Sequence, residues 1–177
     1  GILAAMPEEL AAVVDAVQAH DVVELGGRRY HRGTYHGEDV VCVISRIGKV
    51  AAAATTAILL ERFRPRAVVM TGLAGAVAPE LAIGDVVIAD RLVQHDLDAR
   101  PLFPRHEVPL LGVTELVADP ALSARLAGAA ARFTVPPEVR ALGIARPRVH
   151  RGLVASGDQF FASSEAVSAL RARAFSR

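Results

Sequence analysis

The stretch Ala67–Thr71, which reads AVVMT, is the sequence feature that most constrains the fold. It is almost wholly apolar, and such strands are typical of parallel sheets that helices cover on both faces. A glycine-rich segment, Gly72-Leu73-Ala74-Gly75, follows it directly. Strand-like and helix-like segments alternate along the chain, and this alternation indicates an α/β fold.

The predicted architecture is a three-layer α/β/α fold with a central mixed, mostly parallel sheet. Ile2–Ala5 is a short apolar strand, and Pro7 suits the first turn of a helix over Glu8–Ala19. The stretch Lys49–Phe63, rich in Ala and Leu, predicts a second helix. Glycine-containing turns at residues 26–27 and 36–37 separate three strand-like runs and predict hairpins.

Composition limits the classes of function. The 177 residues, 52% of them hydrophobic, predict one packed domain over residues 1–177. Twenty basic and 19 acidic residues, with arginine scattered, argue against a nucleic-acid partner. No apolar run reaches the roughly 20 residues that cross a bilayer, so no membrane partner is expected. The one cysteine, Cys42, indicates a reducing, cytoplasmic setting, and dispersed histidines give no metal site or cofactor.

Three predicted strand ends carry residues that suit a ligand, because ligands of such sheets lie beyond the carboxyl ends of strands. The first end has Glu8-Glu9, the second Gly72–Gly75, and the third Phe160-Phe161. Together they offer a carboxylate, bare backbone and a stacking surface for a nucleobase attached to a sugar. Each feature also has a structural interpretation: favourable charge at a helix start, a tight turn and core packing, respectively.

Five segments in order carry a family resemblance: GILAAMPEE, SRIGKVAAAA, MTGLAGAVAPELAIGDVVIAD, QHDLDA and RGLVASGDQFF. In this order they resemble the bacterial 5'-methylthioadenosine/S-adenosylhomocysteine nucleosidases of the nucleoside phosphorylase superfamily. The resemblance implies an enzyme of methionine salvage that hydrolyses the N-glycosidic bond of either nucleoside. The products would be adenine and the thioribose moiety.

The resemblance also implies roles for individual residues. Glu9 matches the glutamate that activates the attacking water. The substrate-binding positions implied are Met6 and Ile47 beside the ribose, Leu73, Ala74 and Gly75 along base and ribose, and Phe160 and Phe161 at the adenine. The loop Leu97–Val113, with Leu102, Phe103 and Pro104, matches one that enters the 5' pocket of a neighbouring subunit. A homodimer is therefore expected.

A phosphate-dependent purine nucleoside phosphorylase is the alternative activity. Phosphate needs cations, and a carboxylate such as Glu9 would repel the incoming dianion. Glu38 also stands near the place where phosphorylase relatives carry a phosphate-binding arginine. Against this, Arg46 replaces a usual small residue and could hold an anion, so the alternative stays open. Leu73 replaces a small or more polar residue, which leaves the preferred nucleoside open.

The family pattern continues with a Met-Glu pair that grips the ribose and a Ser-Asp pair whose aspartate protonates adenine. Neither pair lies within these 177 residues. We expect the sequence to be truncated relative to the family, with its general acid outside this chain. A protein that ended at Arg177 would be expected to be a catalytically inactive nucleoside-binding module.

Overall fold

The computed structural model of the protein describes residues 1–144 and 146–174, apart from the side chains of residues 19, 173 and 174. The chain forms two compact units, Gly1–Ala74 and Gly75–Arg177. The single domain expected over residues 1–177 stays a prediction, and residues 145 and 175–177 of it lie outside the described part.

The first unit is built on a five-stranded mixed sheet. Its strands stand in the order β2-β3-β4-β1-β5, with β1 parallel to β4 and β5, and β3 antiparallel to β2 and β4. In chain order the elements are β1 (Ile2–Ala4), α1 (Pro7–Ala16), β2 (Gln18–Leu25), β3 (Arg28–Tyr35), β4 (Glu38–Ile44), α2 (Lys49–Phe63) and β5 (Val69–Met70).

The two helices of this unit cover opposite faces of the sheet. Successive side chains of a strand point to opposite faces. Leu3 of β1 accordingly packs with Leu59 of α2, and its neighbour Ala4 packs with Leu10 of α1. Leu3, Ala4, Leu10 and Leu59 are all buried. Helix, sheet and helix therefore form the three layers expected from the apolar strands.

Helix α2 has the predicted bounds, and both predicted hairpins are present. Helix α1 is shorter than predicted: it ends at Ala16, whereas Ala19 was expected. The reason is that Val17 is extended, with φ −70° and ψ 125°, and Gln18 already pairs with Thr34 of β3. Strand pairing therefore determines the conformation at the end of this apolar, helix-compatible segment.

The second unit contains a three-stranded mixed sheet. The strands stand in the order β7-β6-β8, with β6 parallel to β8 and antiparallel to β7. Its elements are β6 (Val86–Gln94), β7 (Leu116–Val117), α3 (Pro120–Ala131), α4 (Pro137–Ala141), β8 (Val149–Ser156) and α5 (Ser164–Ala174). The α/β class with mixed sheets is thus confirmed. Within residues 1–144 and 146–174, no helix is long and apolar enough to cross a membrane.

The carboxylate of Asp85 joins the beginnings of β6 and β8. It accepts hydrogen bonds from the backbone N–H of Arg148 at 2.8 Å, from Nη2 of Arg148 at 2.8 Å and from the N–H of Ala82 at 3.1 Å. His150 Nε2 lies 3.0 Å from the same carboxylate. The backbone N–H of Arg148, followed by its guanidinium, holds the pKa of Asp85 far below its usual range. Asp85 is therefore a buried charge with several partners.

The chain between β6 and β7 is irregular, as predicted for Leu97–Val113. Within it Val108 and Val113 form one isolated antiparallel bridge. Asp98 accepts hydrogen bonds from Nε and Nη2 of Arg100 at 2.8 and 2.5 Å, and this contact lowers the pKa of Asp98 to about 2. Leu102 is 83% exposed. The loop thus presents an apolar side chain to solvent.

Candidate active site

Glu9 is the third residue of α1, and its side chain caps the N-terminus of that helix. Oε2 accepts the backbone N–H groups of Ala5 and Met6, each at 2.9 Å. Met6 is the N-cap residue and has extended dihedral angles, φ −127° and ψ 152°. Glu9 thereby satisfies an N–H group that has no partner inside the helix. Glu8, its neighbour in the first turn, is exposed.

The other oxygen of Glu9 reaches the end of the neighbouring strand. Oε1 accepts the backbone N–H of Leu73 at 2.8 Å. Leu73 follows β5, whose pairing with β1 continues through the hydrogen bond from Thr71 N–H to Leu3 O at 2.9 Å. The ends of two parallel strands are thus joined through one carboxylate. Of the residues singled out at these two strand ends, the structure brings Glu9 together with Gly72 and Leu73.

A carboxylate offers about four lone-pair positions, two on each oxygen. Among the described residues, backbone N–H groups occupy both positions of Oε2 and one position of Oε1. One position on Oε1 therefore remains for a water molecule. The carboxylate is also fixed in orientation, which a base needs if it is to act on a particular atom.

Gly72 makes this arrangement possible because it has no side chain. A methyl group at Gly72 would lie 2.7 Å from Oε1 of Glu9 and 3.1 Å from Oε2. The sequence interpretation assigned the small residues of Gly72–Gly75 to the approach of a ligand. For Gly72 the group that approaches closely is the carboxylate of this chain.

The turn after β4 carries the predicted sugar-side residue Ile47. Ser45, at the start of the turn, is buried and donates its N–H to Ala4 O at 2.8 Å, while its hydroxyl lies 2.9 Å from Arg46 O and 3.3 Å from Ala4 O. The turn is therefore held at the end of β1, next to the segment that leads to Glu9. Ile47 itself is 77% exposed.

The predicted adenine-side residues lie in the second unit, after β8. Phe160 is 90% exposed, whereas Phe161 is half-buried and its ring centroid lies 5.2 Å from that of His95. A methyl group at Gly157 would lie 2.2 Å from Nε2 of His95, so the ring lies directly on this backbone. Asp158 donates its N–H to Asp96 at 2.9 Å. Both contacts fix the turn that precedes the phenylalanines.

The remaining predicted positions are mostly open to solvent. Ala74 and Gly75 are exposed, and a methyl group at Gly75 would meet nothing within 4 Å. Of the loop residues, Leu102 and Pro104 are exposed and Phe103 is half-buried. No group of three or more His, Cys, Asp or Glu side chains in the described ranges could hold a metal ion.

Comparison with known proteins places the chain in a family. The family model described as the phosphorylase superfamily matches residues 1–176. The 5'-methylthioadenosine/S-adenosylhomocysteine nucleosidase of Mycobacterium bovis is 36% identical over 175 residues, which cover 90% of this chain and 67% of that protein. The chain belongs to the family of these nucleosidases.

Solved structures of other nucleosidases have the same fold. The Streptococcus pneumoniae enzyme with a transition-state inhibitor has a TM-score of 0.82 and 35% identity to this nucleosidase chain, covering 98% of it and 70% of that chain. The Colwellia psychrerythraea enzyme with adenine has a TM-score of 0.85 and 31% identity, covering 98% and 68%. The nucleosidase resemblance and its fold are thereby confirmed.

Two features of the site were not predicted from the sequence. The sequence interpretation did not connect Gly72 with Glu9, although a glycine directly after an apolar strand was a visible signal. It also did not single out Ser45, whose buried hydroxyl and N–H bind the end of β1 in this nucleosidase. A lone serine at a strand end carries no distinctive pattern, so no sequence signal marks it.

Proposed function

We propose that this protein hydrolyses the N-glycosidic bond of 5'-methylthioadenosine and S-adenosylhomocysteine, with Glu9 as the base that activates water. The observation that carries the proposal is the carboxylate of Glu9, held by three backbone N–H groups at the ends of β1 and β5. Its family relatives are nucleosidases named for these two substrates. Release of adenine with water as the acceptor is the activity that fits both the held carboxylate and the names of the relatives.

In the proposed reaction the bond between the anomeric carbon and the base nitrogen breaks, and its electron pair leaves with adenine. The sugar then carries positive charge, which a nearby carboxylate stabilises. Water adds to the anomeric carbon, and Glu9 takes the water proton through the open position on Oε1. Adenine must be protonated as it leaves. We assign that acid to no residue of this sequence.

The family resemblance implies substrate contacts for residues within each unit taken by itself. In the first unit, Met6 and Ile47 would border the ribose, and Leu73 and Ala74 would line the base and ribose. In the second unit, Gly75 would line the ligand, and Phe160 and Phe161 would meet adenine. The exposure of Ile47, Leu73 and Phe160, between 77% and 90%, is consistent with side chains that a ligand covers.

Phosphate as the attacking group is not favoured. A dianion next to the fixed carboxylate of Glu9 would be repelled at close range. Arg46, the cation considered for phosphate binding, already donates to the backbone carbonyl of Gly27 at 2.9 Å, and Glu38, which repels an anion, pairs with Arg66 at 3.3 Å. These contacts support water as the acceptor.

We further propose a cytoplasmic homodimer that acts in methionine salvage. Leu102, Phe103 and Pro104 would enter the 5' pocket of the second copy, and the 83% exposure of Leu102 is consistent with a covered site there. Cys42 is buried and burial raises the pKa of its thiol, as suits a cysteine that stays reduced. Light scattering at several concentrations tests the dimer.

Adenine release from each nucleoside, measured with and without inorganic phosphate, tests the reaction. We expect release at the same rate in both conditions, with a reducing sugar as second product. Release that requires phosphate would assign the protein to the phosphorylases. Nucleoside binding without release would instead indicate a catalytically inactive binding module.

A further inference from the structure

The turn between β4 and α2 contains a residue in a strained backbone conformation. Arg46 has φ +70°, in the left-handed region that favours glycine over residues with side chains. The next residue, Ile47, is 77% exposed and is one of those we place beside the sugar. The dihedral angles of Arg46 therefore determine where Ile47 lies. Something must hold Arg46 in this conformation, since strain persists only where surrounding contacts fix it.

The guanidinium of Arg46 supplies such a contact, because it binds the neighbouring hairpin. Nη2 donates to Gly27 O at 2.9 Å. Gly26 and Gly27 form the two-residue turn between β2 and β3, with φ of 55° and 67°, as in type I′ hairpins. A methyl group at Gly26 would lie 2.6 Å from Cδ1 of Ile58 in α2, so the hairpin turn is packed on the helix. Arg46 therefore binds a backbone carbonyl in a turn that is packed against α2.

A second arginine, Arg28 at the start of β3, also contacts both turns. Nε of Arg28 donates to Ser45 O at 3.2 Å, and its Nη1 donates to Gly27 O at 3.4 Å. The hydroxyl of Thr55 in α2 donates to Ala51 O at 2.8 Å and also lies 3.4 Å from Ser45 O. The residue before Arg46 is therefore fixed by side chains of β3 and α2. The backbone of Arg46 is held by the Ser45 hydroxyl, which donates to Arg46 O at 2.9 Å, and its side chain adds the contact with Gly27 O.

We propose that Arg46 is a positioning residue, which holds the turn of Ile47 in place through Gly27 O and does not serve as an anion ligand. This inference rests on the proposed function in one respect, the contact of Ile47 with the sugar. The hydrogen bond from Arg46 Nη2 to Gly27 O is the tether of this turn. Glycine would adopt φ +70° without strain but would lose the hydrogen bond.

Two variants of the intact protein separate these effects. Arg46→Gly removes the tether and relieves the strain, whereas Arg46→Lys keeps a cation with a single donor group. Arg66→Ala is the matched control, since it removes an exposed arginine of the same unit that pairs only with Glu38 among the described residues. The measurements are the ¹⁵N order parameter of Ile47, the kcat and KM for methylthioadenosine, and titration with inorganic phosphate.

In Arg46→Gly we expect the order parameter of Ile47 to fall from about 0.85 toward about 0.6. KM should rise about 3- to 10-fold with kcat nearly unchanged, the size of effect that one hydrogen bond gives. In Arg46→Lys we expect the order parameter of Ile47 and the KM to lie between those of Arg46→Gly and wild type. In Arg66→Ala we expect both quantities to equal those of wild type. An unchanged order parameter in Arg46→Gly would overturn the tether. Phosphate binding that disappears in Arg46→Gly would show that Arg46 is an anion ligand.

The two proposals fail in different ways. A wild-type protein that releases no adenine contradicts the proposed function. In that case the order parameter of Ile47 still tests the positioning role of Arg46, because measuring the order parameter requires no substrate.

Discussion

A methyl group placed on Gly72 would lie 2.7 Å from Oε1 of Glu9 and 2.9 Å from its Cδ. Non-bonded heavy atoms are normally separated by about 3.5 Å or more. The carboxylate of residue 9 and a side chain at residue 72 therefore compete for the same space. Glycine at residue 72 is a condition for the geometry of Glu9.

Gly72→Ala should lower adenine release while leaving the fold intact. The new methyl group displaces the carboxylate by a fraction of an ångström or more, and misplacement of about 1 Å can cost about 100-fold in rate. Gly152→Ala is the matched control, since Gly152 lies in β8, has no assigned contact with a substrate, and a methyl group there meets nothing within 4 Å. We expect kcat to fall about 10- to 100-fold in Gly72→Ala only. Wild-type kcat in Gly72→Ala would show that the position of Glu9 does not limit the reaction.

Glu9→Gln should abolish turnover and also weaken the start of α1. The amide lacks the basicity of the carboxylate, and loss of a general base costs about 10²- to 10⁴-fold in kcat. The NH₂ group of the glutamine is a donor, and it must face at least one of the backbone N–H donors of Ala5, Met6 and Leu73, so at least one of these hydrogen bonds is lost. A lost helix cap costs about 1 kcal/mol, so the melting temperature should fall slightly.

Glu8→Gln is the control for this variant, because Glu8 lies in the same first turn and is exposed. It should retain the wild-type rate. Retained activity in Glu9→Gln, measured with folding checked by circular dichroism, would remove Glu9 from the mechanism.

His31 should make the protein less stable in mild acid. Its ring lies 2.8 Å, Nδ1 to Nε2, from His20, and its pKa is lowered by burial, then by the charges of His20 and Arg29. A histidine with a lowered pKa binds fewer protons in the folded state than in the unfolded state. The melting temperature should therefore fall as the pH drops below about 6.5, the ordinary histidine value.

His31→Gln should flatten this pH dependence between pH 7 and pH 5, whereas His36→Gln, at an exposed position, should not. Thermal melts at half-unit pH steps measure the slope. An identical slope in wild type and His31→Gln would contradict the assignment.

Asp85→Asn should destabilise the second unit at neutral pH. The carboxylate binds Arg148 and His150 and is almost buried, and its pKa is held far below the usual range by the N–H of Arg148 and then by its guanidinium. A lowered carboxyl pKa stabilises the folded state above the ordinary value of about 3.9 and this stabilisation is lost as the pH falls. The loss of melting temperature in Asp85→Asn should thus be full at pH 7 and shrink below pH 4.

Asp98→Asn provides the comparison. Asp98 pairs with Arg100 only two residues away, and the two side chains are 37% and 59% exposed. Exposed pairs contribute little to stability. Equal losses at pH 7 for Asp85→Asn and Asp98→Asn would contradict a structural role for the Asp85 cluster.

Local sequence signals predicted the elements whose stability is local. The Ala- and Leu-rich stretch predicted α2 with its bounds, and Gly26-Gly27 predicted its hairpin. Elements that exist because of pairing with distant residues were missed or misjudged. The two-residue β7 forms by pairing with Arg91 and Leu92 of β6, and the strand predicted over Ala67–Thr71 is only Val69–Met70 because only Ile2 and Leu3 pair with it.

For the candidate site, the sequence predicted side chains but not the backbone N–H groups that hold the carboxylate of Glu9. Glu9 was predicted from its place after an apolar strand and from the family resemblance. The N–H of Leu73 that binds it lies 64 residues away in the chain, and no local pattern encodes such a contact. The structural interpretation of the acidic pair also proved to be real, since Glu9 itself caps the helix.

The double task of Glu9 bears on how related genes are interpreted. A copy that no longer needed the reaction would still be selected to keep glutamate at this position, because the first turn of α1 depends on it. Glutamate at this position is therefore evidence for an active enzyme only together with the backbone geometry that holds its carboxylate. Among the described contacts, glycine at position 72 serves only to leave room for the carboxylate of Glu9. A larger residue at position 72 would therefore indicate loss of catalytic activity earlier than a change at position 9 would.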